Sequence, residues 1–178
     1  GLDEGDILHI EREKILDTDT NLSLRERLVK KSSMILGDIL EKWINGEIIP
    51  VKQEHSKATY CWQKDISKEK AEIFWKDYSP EYIQRMVRAF IPWPVAWCRL
   101  KLPSEKALDG KIMKIFSSEL VGVPNGFDAG RLWTKDGMLL VSTVDPYVCV
   151  RIKELQIEGK KRTKEKDFLN GIGSLPCK

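Results

Sequence analysis

Five of the seven residues from position 160 to position 166 carry a positive charge: Lys160, Lys161, Arg162, Lys164 and Lys166. Closely spaced cations can grip the phosphate groups of a nucleic acid, and such contacts do not read its sequence. A solvated run of surface charges has the same composition, so the sequence alone leaves both interpretations open. The first four of these residues are the best candidates for phosphate contacts.

A second candidate group is the carboxylate of Asp3, which lies just before a predicted glycine-rich turn. A carboxylate on a loop can project into a reactive site, although aspartate is also a common turn residue with no further role. His9 lies in the apolar segment that follows, with Leu8 and Ile10 on the opposite face of a predicted strand. We interpret His9 as a structural or surface histidine.

The four cysteines show no CxxC spacing and no neighbouring histidine cluster; they are Cys61, Cys98, Cys149 and Cys177. This pattern predicts neither a zinc site nor a disulfide framework, and we expect reduced thiols in a cytosolic protein without a bound metal. No apolar run approaches the roughly 20 residues that cross a bilayer, and no signal peptide is recognisable. Because the sequence begins without Met, we expect a fragment or a processed product.

At 178 residues with 42% hydrophobic content, the chain can form one ordinary domain or two small ones and is not disordered. Its charges are unevenly distributed. Residues 1–90 hold 15 Lys/Arg and 17 Asp/Glu, a net charge of −2, whereas residues 91–178 hold 15 and 10, a net charge of +5. A mildly basic second half suits a polyanionic partner such as nucleic acid, although this support is weak by itself.

The start of the chain predicts a strand followed by a long helix. The strand covers residues 6–10, and the helix covers 20–45, where apolar residues recur at spacings of three, four and seven. Ser23 and Glu26 fit a capping box at the beginning of the helix, and Gly46 suits its end. This order is typical of the closing part of an α/β domain whose earlier strands are missing.

Residues 49–67 lack a firm periodicity, and we interpret them as a linker between domains. A short helix is predicted at 68–75. A further helix begins at Ser79-Pro80, an N-cap followed by proline, and carries Arg88 near its end. A cation at that position also suits the helix dipole, so Arg88 is a weaker candidate for a phosphate contact.

The segment Pro92-Trp93-Pro94 cannot lie inside a helix, because each proline lacks an N–H and restricts the residue before it. We interpret it as a rigid joint, with Trp93 and Trp97 in a buried aromatic corner. Beyond it, alternating apolar residues predict five strands, at about 95–102, 111–119, 130–134, 138–144 and 147–156.

Asp136-Gly137 is typical of a tight hairpin turn between the third and fourth of these strands. Five short strands separated by turns suggest a small, mostly-β Greek-key barrel of OB type, accompanied by short helices. That fold often holds nucleic acid, but a fold alone does not establish a function.

An ordered series of motifs resembles the C-terminal part of methionyl-tRNA formyltransferases. The series comprises Gly-Leu-Asp-x-Gly-Asp-Ile-Leu at 1–8, Ala58-Thr59-Tyr60, Ile73-x-Trp75, Arg88-Ala89-Phe90-x-Pro92-Trp93-Pro94, Leu155-Gln156, Gly159-Lys160-Lys161 and Phe168-Leu169-Asn170-Gly171. The resemblance extends from Gly1 to about Gly171. Each motif is weak alone, whereas their order makes the set specific.

The resemblance implies that residues 1–48 end a Rossmann-like formyltransferase domain, that 49–67 form a linker, and that 68–178 form an OB-like tRNA-binding domain. Members of this family transfer a formyl group from 10-formyltetrahydrofolate to the amine of methionine on initiator tRNA. We therefore expect initiator methionyl-tRNA and the folate donor as partners, no metal, no membrane, and a monomer when intact. The expected location is the cytoplasm, or a mitochondrion or plastid in a eukaryote.

The family's catalytic residues are an Asn, a His and an Asp, and in this chain Asp3 alone matches that set. Its implied role is to orient and support the His and to help proton transfer as the amine attacks the formyl carbon. Neither His9 nor His55 matches the family's His, so we expect the 178-residue chain to be inactive by itself. Two alternatives stay open: a non-catalytic OB-like module that binds tRNA or another polyanion, and another 10-formyltetrahydrofolate-dependent N-formyltransferase.

Overall fold

A computed structural model describes residues 3–102 and 108–172 of the chain. The chain divides into two compact units, Gly1–Trp62 and Gln63–Lys178. The division falls inside the segment predicted to be a linker, and the assignment of the units to two domains stays a prediction. Gly1, Leu2 and Cys177 lie outside the described residues.

The first unit is dominated by the 24-residue helix α1, Asn21–Ile44. Its N-cap is Thr20, in an extended conformation, three residues before Ser23, where the predicted capping box begins. The Thr20 hydroxyl accepts from the backbone N–H of Ser23 at 3.2 Å, and the Ser23 hydroxyl accepts from the Thr20 N–H at 3.0 Å. The capping box is therefore Thr20 with Ser23, and the predicted box of Ser23 with Glu26 is wrong. Gly46 follows the helix with a φ of 73°, as expected of a helix-terminating glycine.

An ion-pair network fixes the segment that precedes α1 against the helix. The carboxylate of Asp19 accepts hydrogen bonds from the Leu16 N–H at 2.7 Å, the Ser23 hydroxyl at 2.8 Å and the Arg27 guanidinium. The Arg27 guanidinium and the Leu16 N–H hold the pKa of the Asp19 carboxyl far below its usual range, and Asp19 in turn raises the pKa of Arg27. Glu13 also accepts from Arg27, at 3.0 Å.

The predicted strand at 6–10 does not form. Ile7 makes a single antiparallel bridge with Val51, and no neighbouring segment extends this bridge into a ladder. Within the described part of the first unit, the predicted α/β remnant therefore supplies a helix but no sheet. No residue of α1 is buried, and apolar side chains such as Met34 and Trp43 are exposed.

The second unit contains a six-stranded antiparallel sheet. Its strands are β1 Trp97–Arg99, β2 Ile112–Gly122, β3 Leu132–Lys135, β4 Met138–Ser142, β5 Val148–Ile157 and β6 Thr163–Lys164. Their order is β1-β2-β5-β4-β3, and β6 pairs with β5 on the same side as β4. The five predicted strands are present, with shifted ends, whereas the two-residue β6 was not predicted. No ladder in the described residues joins β1 to β3, so a closed barrel is not confirmed.

Helix α2, Pro80–Ala89, covers one face of the sheet by packing against β2 and β5. Ser79 caps it by accepting from the Tyr82 N–H at 3.2 Å, and Pro80 occupies its first turn, as predicted. Ile83 and Val87 are buried in the main core. A third helix, α3 at Glu165–Asn170, follows β6. Three single 3-10 turns lie at His55–Lys57, Gln63–Asp65 and Glu69–Ala71, and the last of these replaces the helix predicted at 68–75.

The predicted hairpin turn is present, whereas the segment around Trp93 differs from its prediction. Asp136 and Gly137 both have positive φ, 51° and 74°, and join β3 to β4 in the predicted tight hairpin. The predicted aromatic corner is more exposed than expected: Trp93, which precedes β1, is 56% exposed, and Trp97, the first residue of β1, is half-buried. The predicted buried aromatic corner is therefore wrong for Trp93.

Gly130 is required where the chain enters β3. Its φ is 89°, and a Cβ placed there would lie 3.2 Å from the Trp75 side chain, which is itself buried. We expect Gly130→Ala to lower the free energy of unfolding of the sheet unit by about 1–3 kcal/mol through backbone strain. Denaturant titration followed by fluorescence measures this. The control Gly122→Ala, which meets no atom within 4 Å, should change it by less than about 0.5 kcal/mol; equal effects would contradict the expectation.

Acid should loosen the start of α1. Because the folded pKa of Asp19 lies below its unfolded value, its contribution is complete above about pH 4 and is lost as the pH falls further toward the folded pKa. Circular dichroism between neutral and strongly acidic pH should show a loss of helix that Asp19→Asn already displays at neutral pH. Asp17→Asn is the matched control and should behave as the parent chain; a parent-like Asp19→Asn would contradict the account.

Candidate nucleic-acid interface

Asp3 lies in a turn of the first unit whose backbone is held by hydrogen bonds with Val51 and Gln53. The Ile7 and Val51 backbones exchange hydrogen bonds of 2.8 and 2.9 Å. The side-chain amide of Gln53 donates to the carbonyls of Asp3 and Gly5, at 2.8 and 2.7 Å. These contacts fix the backbone of the turn, where Asp3 has a φ of 63°, and its side chain is exposed to solvent. Its catalytic role stays a prediction.

Both histidines of the first unit lie at the protein surface. His9 is exposed, and its Nε2 lies 3.5 Å from the carboxylate of Glu11. His55 is exposed in a 3-10 turn. Among residues 3–102 and 108–172, no group of three or more His, Cys, Asp or Glu is placed to hold a metal ion.

The basic residues after β5 begin at a tight turn in the second unit. Gly159 has a φ of 76°, and the N–H of Lys160 donates to the Ile157 carbonyl at 2.9 Å. Lys160 and Lys161 are both exposed. We call the segment 159–164 the basic turn. It presents two adjacent ammonium groups at the end of a rigid strand, which is a suitable arrangement for phosphate contacts.

The Arg162 side chain makes contacts within the second unit. Its guanidinium pairs with the Glu154 carboxylate at 2.5 Å and lies over the Phe116 ring, 4.1 Å from the centroid. These contacts hold the basic turn against β2 and β5. They favour a structural role for Arg162, and its predicted phosphate contact remains untested.

Lys164 and Arg88 differ in their exposure to solvent. Lys164 is exposed and belongs to β6, where it pairs with Glu154 of β5. Arg88 is half-buried in the last turn of α2, and its Nε is buried. The structure therefore brings Lys164 into the basic turn with Lys160 and Lys161, whereas Arg88 lies in the helix that covers the sheet.

An ion pair between the buried Glu165 and the half-buried Arg151, which the sequence did not reveal, helps to fix the position of the basic turn. Glu165 is 8% exposed and accepts hydrogen bonds from Arg151 of β5 at 2.8–3.1 Å and from the N–H of Leu139 on β4 at 2.7 Å. Arg151 also donates to Glu119 of β2 at 2.9 Å. The hydrogen bonds to Glu165 raise the pKa of Arg151. Partial burial opposes ionisation of Glu119, but Lys153 and Arg151 outweigh it and lower its pKa.

Beside the basic turn lies a cleft of about 400 Å³ whose lining combines apolar, cationic and amide groups with one carboxylate. We call it the Trp97 cleft, and its lining includes Lys68, Trp97, Ile112, Lys114, Gln156 and Glu158. No motif or periodicity in the sequence indicates this cleft. Its residues come from segments far apart in the chain, and only the strand register brings them together.

Two of the described cysteines, Cys98 and Cys149, pack in the cores, whereas Cys61 is a free thiol exposed to solvent. Cys98 is buried in the main core, and burial raises the pKa of its thiol to about 12. Cys149 is buried in a smaller core with Trp133 and Leu140. None of the helices in the parts of the chain that the structure describes is long and apolar enough to cross a membrane.

Comparison with known proteins identifies relatives along nearly the whole chain. The family described as Formyl transferase, C-terminal domain, matches residues 65–173. The chain is 32% identical over 173 residues to methionyl-tRNA formyltransferase of Geobacillus thermodenitrificans, and the match covers 97% of this chain and 51% of the relative. It is 34% identical over 174 residues to the enzyme of the same name from Pseudoalteromonas translucida, covering 96% and 50%. The chain thus spans about half the length of the curated relatives it matches.

Solved structures show the same fold at lower identity. HypX from Aquifex aeolicus, in complex with tetrahydrofolic acid, matches with a TM-score of 0.65 and 17% identity over 99% of this chain and 30% of that protein. An N-formyltransferase from Helicobacter canadensis, solved with folinic acid and dTDP-3-aminofucose, matches with a TM-score of 0.59 and 18% identity over 85% and 51%. The sequence relatives confirm the resemblance to methionyl-tRNA formyltransferases.

The buried carboxylate in this region should be far more important for stability than the exposed ion pair. Glu165→Gln leaves Arg151 without its main anionic partner and should lower the free energy of unfolding by about 2 kcal/mol. Glu154→Gln breaks the more exposed pair with Arg162 and should cost less than about 1 kcal/mol. Denaturant titration of both variants measures the difference, and equal costs would show that burial of Glu165 does not decide its contribution.

Proposed function

We propose, from the premise that this chain belongs to the formyl transferase C-terminal domain family, that it is the C-terminal half of a methionyl-tRNA formyltransferase. The intact enzyme would transfer a formyl group from 10-formyltetrahydrofolate to the amine of initiator methionyl-tRNA, as a monomer in the cytoplasm. The names and coverage of the sequence relatives support this proposal. The observation that carries it is the exposed basic turn at the end of strand β5, which suits the polyanionic substrate.

In this proposal the sheet unit holds tRNA through its phosphates. Lys160, Lys161 and Lys164 supply exposed ammonium groups that neutralise phosphate charge, while Arg162 holds the turn in place through Glu154. We assign the unit to the OB-like type, and the register shifts between Ile115 and Ser118 support this, because such bulges bend a strand toward closure.

Asp3 belongs to the formyl-transfer site of the intact enzyme in the same proposal. Its carboxylate orients and electrostatically supports the histidine of that site, so that a proton can leave the amine as it attacks the formyl carbon. The Gln53 amide anchors the turn through the Asp3 carbonyl and keeps the exposed carboxylate in a defined place.

Charge reversal in the basic turn tests the tRNA contact. The double variant Lys160→Glu/Lys161→Glu should weaken binding of initiator tRNA by at least about tenfold and make the dependence on salt shallower, since two phosphate contacts are lost. Fluorescence anisotropy at several salt concentrations measures both quantities. The matched control is Lys135→Glu, on the far edge strand β3, which should bind within about twofold of the parent chain. An unchanged affinity of the double variant would contradict the proposal.

The role of Asp3 is tested in the full-length protein. Asp3→Ala should lower kcat for formylation by roughly 100-fold or more, because proton transfer loses its supporting carboxylate. The neighbouring exposed residue Glu4 provides the control variant Glu4→Ala, which should keep near-parent activity. Full activity of Asp3→Ala in a formylation assay would rule out the assigned role.

A further inference from the structure

The Trp97 cleft places an aromatic ring, an ammonium group and an amide side by side on one face of the sheet. Trp97 of β1 pairs with Lys114 of β2, and Lys114 pairs in turn with Gln156 of β5. Residues directly opposite each other on antiparallel strands point to the same face, with Cβ atoms roughly 5 Å apart. The three side chains therefore form a continuous row across three strands.

The Trp97 ring is held in a fixed orientation. Its indole N–H donates to the carbonyl of Lys68 at 2.7 Å, and the Arg99 guanidinium lies 5.9 Å from the ring centroid. A tryptophan that is half-buried and tethered at its polar end offers a flat apolar surface at little entropic cost. Such a surface suits the face of a planar heterocycle.

The rest of the lining supplies groups for the polar parts of a nucleotide. Lys68 and Lys114 provide positive charge, and Gln156 provides an amide. The one carboxylate, Glu158, accepts from the Ile112 N–H at 3.2 Å and is thereby directed toward the backbone. The volume of about 400 Å³ falls in the range of small-molecule sites, roughly 300–1,000 Å³.

Gln156 also connects the cleft to the basic turn. Its Nε2 donates to the carbonyl of Lys160 at 2.9 Å, so the first ammonium residues of the turn begin at the rim of the cleft. A strand of nucleic acid that contacts the basic turn through its phosphates would therefore pass the cleft. An unpaired base can stack on an aromatic ring there, whereas a paired base cannot leave its duplex without a cost.

We propose that the Trp97 cleft binds one unpaired nucleotide, with its base on the Trp97 ring and its phosphate at Lys68 and Lys114. This proposal rests on the proposed function and deepens it, because it adds a base-binding site to a surface that otherwise contacts phosphates. The same chemistry would accept an unpaired nucleotide of an RNA or a free mononucleotide.

The first test compares two probes that differ only in their bases. A single-stranded tetranucleotide RNA and its abasic counterpart carry the same phosphates, and the full 178-residue chain is titrated with each. The cleft predicts that loss of the bases weakens binding by about tenfold or more, given the strength of base–aromatic stacking. Equal affinities would overturn the proposal. Titration with AMP then distinguishes the two sources: affinity comparable to the tetranucleotide indicates a free nucleotide, and much weaker affinity indicates a polymer.

Matched substitutions test the residues themselves. Trp97→Phe and Trp97→Leu both remove the indole N–H that contacts Lys68, but Phe alone keeps an aromatic face. The proposal expects Trp97→Phe to bind the tetranucleotide within about threefold of the parent and Trp97→Leu about tenfold more weakly. Equal losses in both variants, at equal circular dichroism, would assign Trp97 a structural role and overturn the proposal.

Lys114→Gln should weaken tetranucleotide binding about fivefold, while Lys135→Gln on β3 should leave it unchanged.

A blunt RNA duplex separates this inference from the proposed function. Lys160→Glu/Lys161→Glu should weaken the duplex and initiator tRNA alike, whereas Trp97→Leu should affect only probes with unpaired bases. If the double lysine variant binds both probes as the parent does while Trp97→Leu still weakens probes with unpaired bases, the basic turn is rejected and the cleft is kept. If the double variant weakens binding but Trp97→Leu has no effect, the cleft alone is rejected.

Discussion

The buried carboxylate of Glu165 is the contact on which the arrangement of the sheet unit depends. Through Arg151 and the N–H of Leu139 it ties the start of α3 to both β5 and β4. A carboxylate in this environment is stable only with such partners. Because α3 is held there, the chain that leaves β5 must reverse at Gly159 and return along β5 as β6. The basic turn is therefore placed by the buried Glu165 on one side and by the contacts of Arg162 with Glu154 and Phe116 on the other.

This constraint explains how one surface acquires two kinds of binding group. The reversal at Gly159 sets Lys160 and Lys161 beside the face formed by β1, β2 and β5. Arg162 stays with Glu154 and Phe116, so that one cation of the run stabilises the surface while others face solvent. A positively charged turn next to a fixed aromatic ring is the usual combination for a strand with unpaired bases.

The sequence predicted the structure correctly where neighbouring residues determine it. The Asp136-Gly137 hairpin, the Ser79-Pro80 helix start and the Gly46 helix end each depend on backbone preferences of one or two residues. It failed where distant residues decide. The segment 6–10 is apolar enough for a strand but finds only Val51 as a partner. The two-residue β6, the Arg151–Glu165 pair and the Trp97 cleft depend on strand register, which composition does not encode. Motif order, in contrast, was sufficient to recognise the family, because it carries information that periodicity lacks.

We propose that the face bearing Trp97 and the basic turn is the RNA-binding surface of this unit. The most direct measurement is an NMR titration of the chain with initiator tRNA, which follows indole N–H and backbone amide resonances. We expect shifts at the indole of Trp97 and at the amides of Lys160 and Lys161, with no shift at Trp133, which is wholly buried. Shifts confined to other parts of the sheet unit, with the Trp97 and Lys160 resonances unmoved at saturation, would contradict it.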